Sequence, residues 1–129
     1  SNHELATTFD AILTRQLAEL EGSALVDRCR AHLLRELTSG EPGEGDLARA
    51  LGLNKRTLQR KLAAQGLSFK QVLEQTRYDL ALRYLDDPGK SVTDITFLLG
   101  FSEQSAFTRA FKRWSGEAPS SYRVRVARA

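Results

Sequence analysis

Two stretches of this chain are versions of one another, and that repeat limits what the chain can fold into more than any other feature. Asp46 to Asn54 reads D-L-A-R-A-L-G-L-N and Asp94 to Ser102 reads D-I-T-F-L-L-G-F-S, an offset of 48 across Asp, Leu/Ile, Leu, Gly and the apolar residue that follows. Beyond the glycine the offset becomes 49, carrying Leu58 onto Phe107, Arg60 onto Arg109 and Leu62 onto Phe111. The second copy therefore holds one extra residue in its turn. Two units of about twenty residues are far too few for a solenoid, so the repeat reads as two copies of one recognition device.

Each copy has the make-up of a helix-turn-helix. Gly52 and Gly100 can take the left-handed conformation that lets two helices meet steeply. Leu53 or Phe101 fills the corner, and Asn54 and Ser102 are suited to cap the second helix. That second helix has an apolar inner face, Leu58 and Leu62 in one copy and Ala106, Phe107 and Phe111 in the other. Its outer face carries Lys55, Arg56, Gln59 and Arg60, or Gln104, Ser105, Thr108 and Arg109. Arginine offers two parallel donors to guanine and glutamine a donor and acceptor to adenine, so these side chains can read base edges. A merely solvated face is the other reading for either helix alone. Matching positions in two copies favour base reading.

Between the copies lies Ser68 to Leu85, S-F-K-Q-V-L-E-Q-T-R-Y-D-L-A-L-R-Y-L. Phe69, Val72, Leu73, Leu80 and Tyr84, with Thr76 between them, recur at three- and four-residue steps and share one helical face. Ser68 with Gln71 is a capping-box pattern, and Pro88-Gly89 cannot continue a helix. Eighteen residues at ~1.5 Å each give roughly 27 Å, near the ~34 Å between successive major grooves on one side of B-DNA.

Earlier in the chain, Glu4 to Leu20 predicts an amphipathic helix with Leu5, Phe9, Ile12, Leu13, Leu17 and Leu20 on one face, ended by Gly22. Ser23 is a candidate cap for a second helix with Leu25, Val26, Cys29, Leu33 and Leu37 inside. Residues 39–45 read as a loop. Short helices are expected at Asp46 to Leu53, Lys55 to Gln65, Ser91 to Leu99 and Glu103 to Ser115, and Pro119 suits the first turn of a last one reaching about Val126. No stretch alternates with a period of two, so the expected class is all-α.

Composition narrows the function. The 129 residues are 41% apolar and 27% charged, with no apolar run long enough to span a bilayer. Residues 1–45 carry four Arg/Lys against eight Asp/Glu, whereas 46–129 carry fifteen against eight. A basic C-terminal two-thirds is the footprint of a polyanion partner or an ordinary solvated surface. Cys29 stands alone and only His3 and His32 accompany it, which excludes a disulfide framework and a four-ligand zinc set and suits a reducing cytoplasm. Cys29 and His32 are three apart, yet Cys29 falls on the apolar stripe and reads as a small buried hydrophobe rather than a nucleophile. Trp114 and Tyr122 read as core, and so do Phe97, Phe101, Phe107 and Phe111. Ser1-Asn2, with no methionine anywhere, looks like a protease-cleavage scar and predicts a longer parent.

The stretch Ser91 to Arg123, S-V-T-D-I-T-F-L-L-G-F-S-E-Q-S-A-F-T-R-A-F-K-R-W-S-G-E-A-P-S-S-Y-R, resembles the second helix-turn-helix signature of the AraC/XylS-type bacterial transcription regulators. It has the Gly-Phe corner, the F-x-x-x-F-K-R core, the Gly before x-x-Pro and the closing Tyr-Arg. L-G-L-N-K-R-T-L-Q-R-K-L is similar to the family's other motif. The resemblance covers about Gly45 to Arg125, with Thr96 where alanine is usual and Asn54 where serine is usual.

What the resemblance implies is a monomeric, homeodomain-like DNA-binding domain of two helix-turn-helix subdomains, 46–66 and 91–116, joined by a long linking helix at 68–86. One or two extra helices precede them. Residues 1–22 would be the link to an absent effector domain and 23–129 the DNA-binding domain. The base-reading positions carried over are Arg56, Gln59, Arg60, Gln104, Ser105 and Arg109. The phosphate candidates are Lys55, Thr57, Lys61, Ser91, Ser102, Lys112, Arg113 and Arg123. The implied partners are double-stranded promoter DNA and, beyond it, RNA polymerase; no cofactor or metal is implied, and the setting is the bacterial cytoplasm. The competing reading is a helical protein-interaction module that uses the acidic segment 1–45 and binds no DNA.

Overall fold

The helical periods become helices close to the expected bounds. The computed structural model describes residues 2–129, which form α1 (Asn2–Glu36), a 3-10 turn (Leu37–Ser39), α2 (Glu44–Ala50), α3 (Lys55–Ala64), α4 (Phe69–Leu85), α5 (Val92–Leu98), α6 (Gln104–Ser115) and α7 (Pro119–Ala127). The class is all-α.

The long helix α4 starts where its sequence says it should. The Ser68 hydroxyl accepts from the Gln71 N–H, and the Gln71 side chain accepts from the Ser68 N–H, which satisfies two of the otherwise orphaned donors of the first turn. A second capping box opens α5, built from Ser91 and Asp94. Asn54 caps α3 by accepting from Thr57 N–H at 2.8 Å. Thr96, fully buried, gives its hydroxyl to the Val92 carbonyl at 2.9 Å, so its polar atom is satisfied inside its own helix.

The chain buries two separate cores, and α4 is the wall they share. Val72 and Leu73 in its first half join Leu25, Val26, Cys29, Leu33 and Leu37 and the buried residues of α2 and α3. Ala81 and Leu85 in its second half join Ile95, Leu99, Phe107 and Phe111. Trp114 and Tyr122 close this second core, with Trp114 5.6 Å from the Tyr78 ring and Tyr122 edge-on to Phe111 at 5.5 Å. Both therefore serve packing, whereas Phe97, expected in the core, is 53% exposed because it lies ~200° around α5 from buried Ile95 and Leu99.

At the N-terminus the structure corrects the expectation. There is one 35-residue helix, not two, and it runs through Gly22 without a break. Glycine costs a helix interior only ~1 kcal/mol, which the burial of Leu25, Val26, Cys29 and Leu33 just beyond it offsets. Gly22 faces α3 instead: a Cβ there would stand 1.9 Å from the end of the flexible Gln65 side chain, which can swing aside. The expected domain division at 22/23 thus falls inside continuous helix. At ~100° per residue the stripe from Leu5 to Leu20 is centred roughly 140° around the helix from the stripe of Leu25 to Leu37. Only the second meets the core, and Leu5, Phe9, Ile12, Leu13, Leu17 and Leu20 are all exposed.

Two measurements check this account. Leu33, 0% exposed, replaced by Ala should cost about 2–5 kcal/mol in urea unfolding, whereas Leu17→Ala, at 58% exposure, should fall within ~0.5 kcal/mol of the parent. The Asp94 carboxyl is held below its ordinary value, chiefly by the Ser91 N–H that it accepts. Its contribution to stability is therefore complete above the unfolded value of ~3.9 and lost as pH falls through the lowered folded value. The difference in melting temperature between the parent and Asp94→Asn should be steady above about pH 5 and shrink below about pH 4.

Candidate nucleic-acid interface

The two second helices, α3 and α6, are held the same way. Each turns its apolar face into its own core, Leu58 and Leu62 in α3 and Phe107, Ala110 and Phe111 in α6. Each follows a corner glycine with positive φ, Gly52 at 73° and Gly100 at 84°, a conformation that a Cβ disfavours. The extra residue of the second copy sits in the turn, because the N-cap of α6 is Glu103 rather than Ser102 and makes no side-chain cap. Ser102, expected as a cap, lies one residue outside.

Counting from the N-caps Asn54 and Glu103 puts the helices in register. Arg60 and Arg109 are both sixth from the cap, Arg56 and Ser105 both second, and Gln59 and Thr108 both fifth. At ~100° per residue, positions two, five and six lie within roughly 100° of arc on the side opposite the buried fourth and eighth. Lys112, ninth from its cap, extends the same face by one turn. Arg56, Gln59, Arg60, Ser105, Arg109 and Lys112 are all exposed. The family resemblance implies Gln104 rather than Thr108 as a base reader. Gln104 is first from the cap and sits toward the edge of the face, where its Oε1 accepts from the Thr93 hydroxyl of α5 at 2.8 Å. Thr108 is half-buried at the place equivalent to Gln59. The offset of 49 that carries Arg60 onto Arg109 carries Gln59 onto Thr108 as well, so the sequence already held this register.

Few of these side chains are tied down. Arg109 is 3.9 Å from Glu103, and both are well exposed, so this pair is weak. Arg56, Gln59 and Arg60 make no hydrogen bond or ion pair among the described residues. Exposed, unpaired donors on a helix face are what a base edge or phosphate oxygen can use.

The expected phosphate positions divide. Lys55 and Lys112 are exposed on the two helices, and Thr57 is half-buried with its N–H taken by Asn54. Lys61 lines a cavity of about 330 Å³ between α1 and α3, together with Glu21, Arg28 and Gln65. Ser91 has both its hydroxyl and its N–H engaged with Asp94. Arg113 turns back to Glu74 of α4, with 2.8 Å between Nη2 and Oε1. Arg123 is drawn into the fold. Its Nε donates to the Leu85 carbonyl at 3.1 Å and its Nη2 to the Tyr84 and Asp87 carbonyls at 3.3 Å. A cation there satisfies the last carbonyls of α4 and complements the negative end of the helix dipole.

Cys29 is fully buried in the first core, and burial pushes its thiol above the ordinary value, away from the thiolate that nucleophilic chemistry needs. No helix among the described residues is long and apolar enough to cross a membrane.

Comparison with known proteins gives this geometry a family. A family profile described as a helix-turn-helix domain matches residues 47–125, which takes in both helix pairs and α4. The chain is 44% identical over 90 residues to the HTH-type transcriptional regulator VirS of Mycobacterium tuberculosis, a match covering 70% of this chain and 26% of that protein. It therefore spans about a quarter of that relative's length. Among solved structures, a DNA-binding transcriptional dual regulator from Escherichia coli K-12 shares the fold with a TM-score of 0.76 at 23% identity, covering 81% of this chain and 94% of that one. The DNA-binding domain of AdpA, a global transcriptional factor solved in complex with a target DNA, superposes with a TM-score of 0.66 at 26% identity, covering 77% and 89%. The chain belongs to the AraC-type helix-turn-helix family of transcription regulators and has the fold of that family's DNA-binding domains.

Proposed function

We propose that this domain binds double-stranded DNA sequence-specifically by laying α3 and α6 into successive major grooves. The observation that carries the reading is the repetition of an exposed, polar outer face, position by position from the N-cap, on two helices anchored by equivalent apolar residues. Arg60 and Arg109 are the principal base readers, with Arg56, Gln59 and Ser105 beside them and Gln104 at the margin. Lys55 and Lys112 hold phosphates. Thr57, Lys61, Ser91 and Ser102 belong to the same backbone-contacting set through hydroxyl, ammonium or helix-end groups. Arg113 and Arg123 contribute by keeping α6 and α7 seated on α4 rather than by meeting phosphate.

Within a longer regulator the domain would act on promoter DNA and, through it, on RNA polymerase, with a sensing region elsewhere in the protein. Such work belongs in the bacterial cytoplasm. A protein-interaction role is favoured at one place only, the exposed apolar stripe of α1, which is separate from the basic outer faces and compatible with DNA binding.

Selecting duplexes from a random pool tests the reading, because two half-sites about one helical turn apart are expected. On the selected duplex, Arg60→Ala or Arg109→Ala should cost about 1–3 kcal/mol and relax the preference at one base pair, while Lys112→Ala should weaken all duplexes alike and reduce the salt slope by about one. Equal effects from both kinds of change would refute the division of roles. Arg123→Ala should lower the melting temperature and leave the salt slope of the folded fraction unchanged; a reduced slope would return Arg123 to the phosphates.

A further inference from the structure

Arg77 stands at the waist of α4, between Val72 and Leu73 of the first core and Ala81 and Leu85 of the second. It is 5% exposed. Its Nε donates to the Leu99 carbonyl at 2.7 Å, and its guanidinium carbon lies 4.1 Å from the centre of the Phe101 ring. Its Nη1 is 3.6 Å from a Glu41 carboxylate oxygen, and its Nη2 is buried without a partner. Leu99, Gly100 and Phe101 are the corner of the second helix-turn-helix, and Glu41 belongs to the loop that follows α1. One side chain thus touches all three parts of the molecule.

A second contact bears on the same corner from the other side. A Cβ on Gly100 would stand 2.6 Å from the Gly40 carbonyl oxygen and 2.8 Å from that of Leu37. Both are backbone atoms that cannot swing away. Leu37 is fully buried in the first core. The first subdomain therefore presses directly on the turn that aims α6, and Arg77 holds that turn against α4.

A guanidinium taken out of water with one nitrogen unsatisfied is a poor source of stability, since an apolar side chain of similar volume would serve as well or better. What the planar, multiply bonded group supplies is a fixed geometry. We propose that Arg77 is a positioning residue that sets the separation and relative rotation of α3 and α6, and with it the half-site spacing that the domain accepts. The proposal rests on the DNA-reading role assigned above to those two helices. Base reading at each half-site belongs to the outer faces and is independent of Arg77. A single base pair inserted between half-sites moves one by ~3.4 Å and turns it by roughly 35°, which a rigid pair of heads cannot follow and a loosened pair can.

The test uses the duplex selected from the random pool and two derivatives, with one base pair inserted or removed between the half-sites. The parent protein should lose at least tenfold in affinity on either derivative. In Arg77→Gln this penalty should fall to about threefold or less, with weaker binding to the selected duplex and unchanged base preference within each half-site. Arg77→Lys keeps the charge but loses the Nε donor and the planar stack, and should behave like Arg77→Gln. Gly100→Ala, which must lift the corner off the loop, should relax spacing in the same way. Circular dichroism and thermal melting establish that each variant is folded. If the Arg77 variants do not fold, Glu41→Gln, which removes one 73%-exposed partner of the guanidinium, should still reduce the penalty measurably. A spacing penalty as steep in folded Arg77→Gln as in the parent, or full rescue by Arg77→Lys, overturns the assignment. Failure of the parent to select any duplex would instead overturn the DNA-reading role itself.

Discussion

Both cores of this protein are built on the same 17-residue helix, and the rest of the structure depends on that sharing. Neither helix-turn-helix could bury a core of its own, since each supplies only a few large apolar side chains, and small units leave too much surface in water. The first half of α4 completes one core with Val72 and Leu73, and the second half completes the other with Ala81 and Leu85. A helix is a stiff spacer, so two units packed on it move as one body to the extent that something resists rotation about the waist. Arg77, Gly100 and the loop carbonyls of Leu37 and Gly40 supply that resistance at one edge. The three carbonyls bound by Arg123 hold the second subdomain to α4 elsewhere, with the largely exposed Arg113–Glu74 pair adding little.

This arrangement separates the positive side chains of the second subdomain into two populations that sequence cannot tell apart. Lys112, Arg113 and Arg123 fall within a dozen residues. Lys112 points to solvent on the outer face, Arg113 reaches back to a carboxylate of α4, and Arg123 satisfies the last carbonyls of the same helix. The difference is one of angle. A step of one residue turns the side chain by ~100°, which is enough to exchange a polyanion for an internal partner. A basic patch counted from composition therefore overstates the charge available to DNA, because part of it is already engaged within the fold.

The N-terminal helix shows a different kind of division. Its second half is an ordinary core helix, while its first half carries an apolar stripe turned well away from that core. Read as a sequence, the phase change at Gly22 looks like a break between two helices, because glycine and a shift of period are both stop signals. In the fold the same glycine faces the flexible Gln65 side chain, and α1 continues through it unbroken. The stop signal is overridden by the burial of Leu25, Val26, Cys29 and Leu33 just beyond it, which no local pattern around the glycine reveals.

Local chemistry let the sequence determine the all-α class, the bounds of α2 to α7 to within three residues, the caps at Asn54 and Ser68, and the duplicated helix pair with Arg60 and Arg109 at equivalent places. Each of those depends on hydrogen bonds and periodicities spanning about four residues, which one stretch of chain contains within itself. Tertiary structure alone decided that α1 is continuous, that Glu103 and not Ser102 begins the register of α6, that Arg113 and Arg123 reach back to α4, and that Arg77 joins the two halves. The last two outcomes turn on groups 22 to 39 residues apart meeting in space. Neither member of such a pair carries a mark of the other.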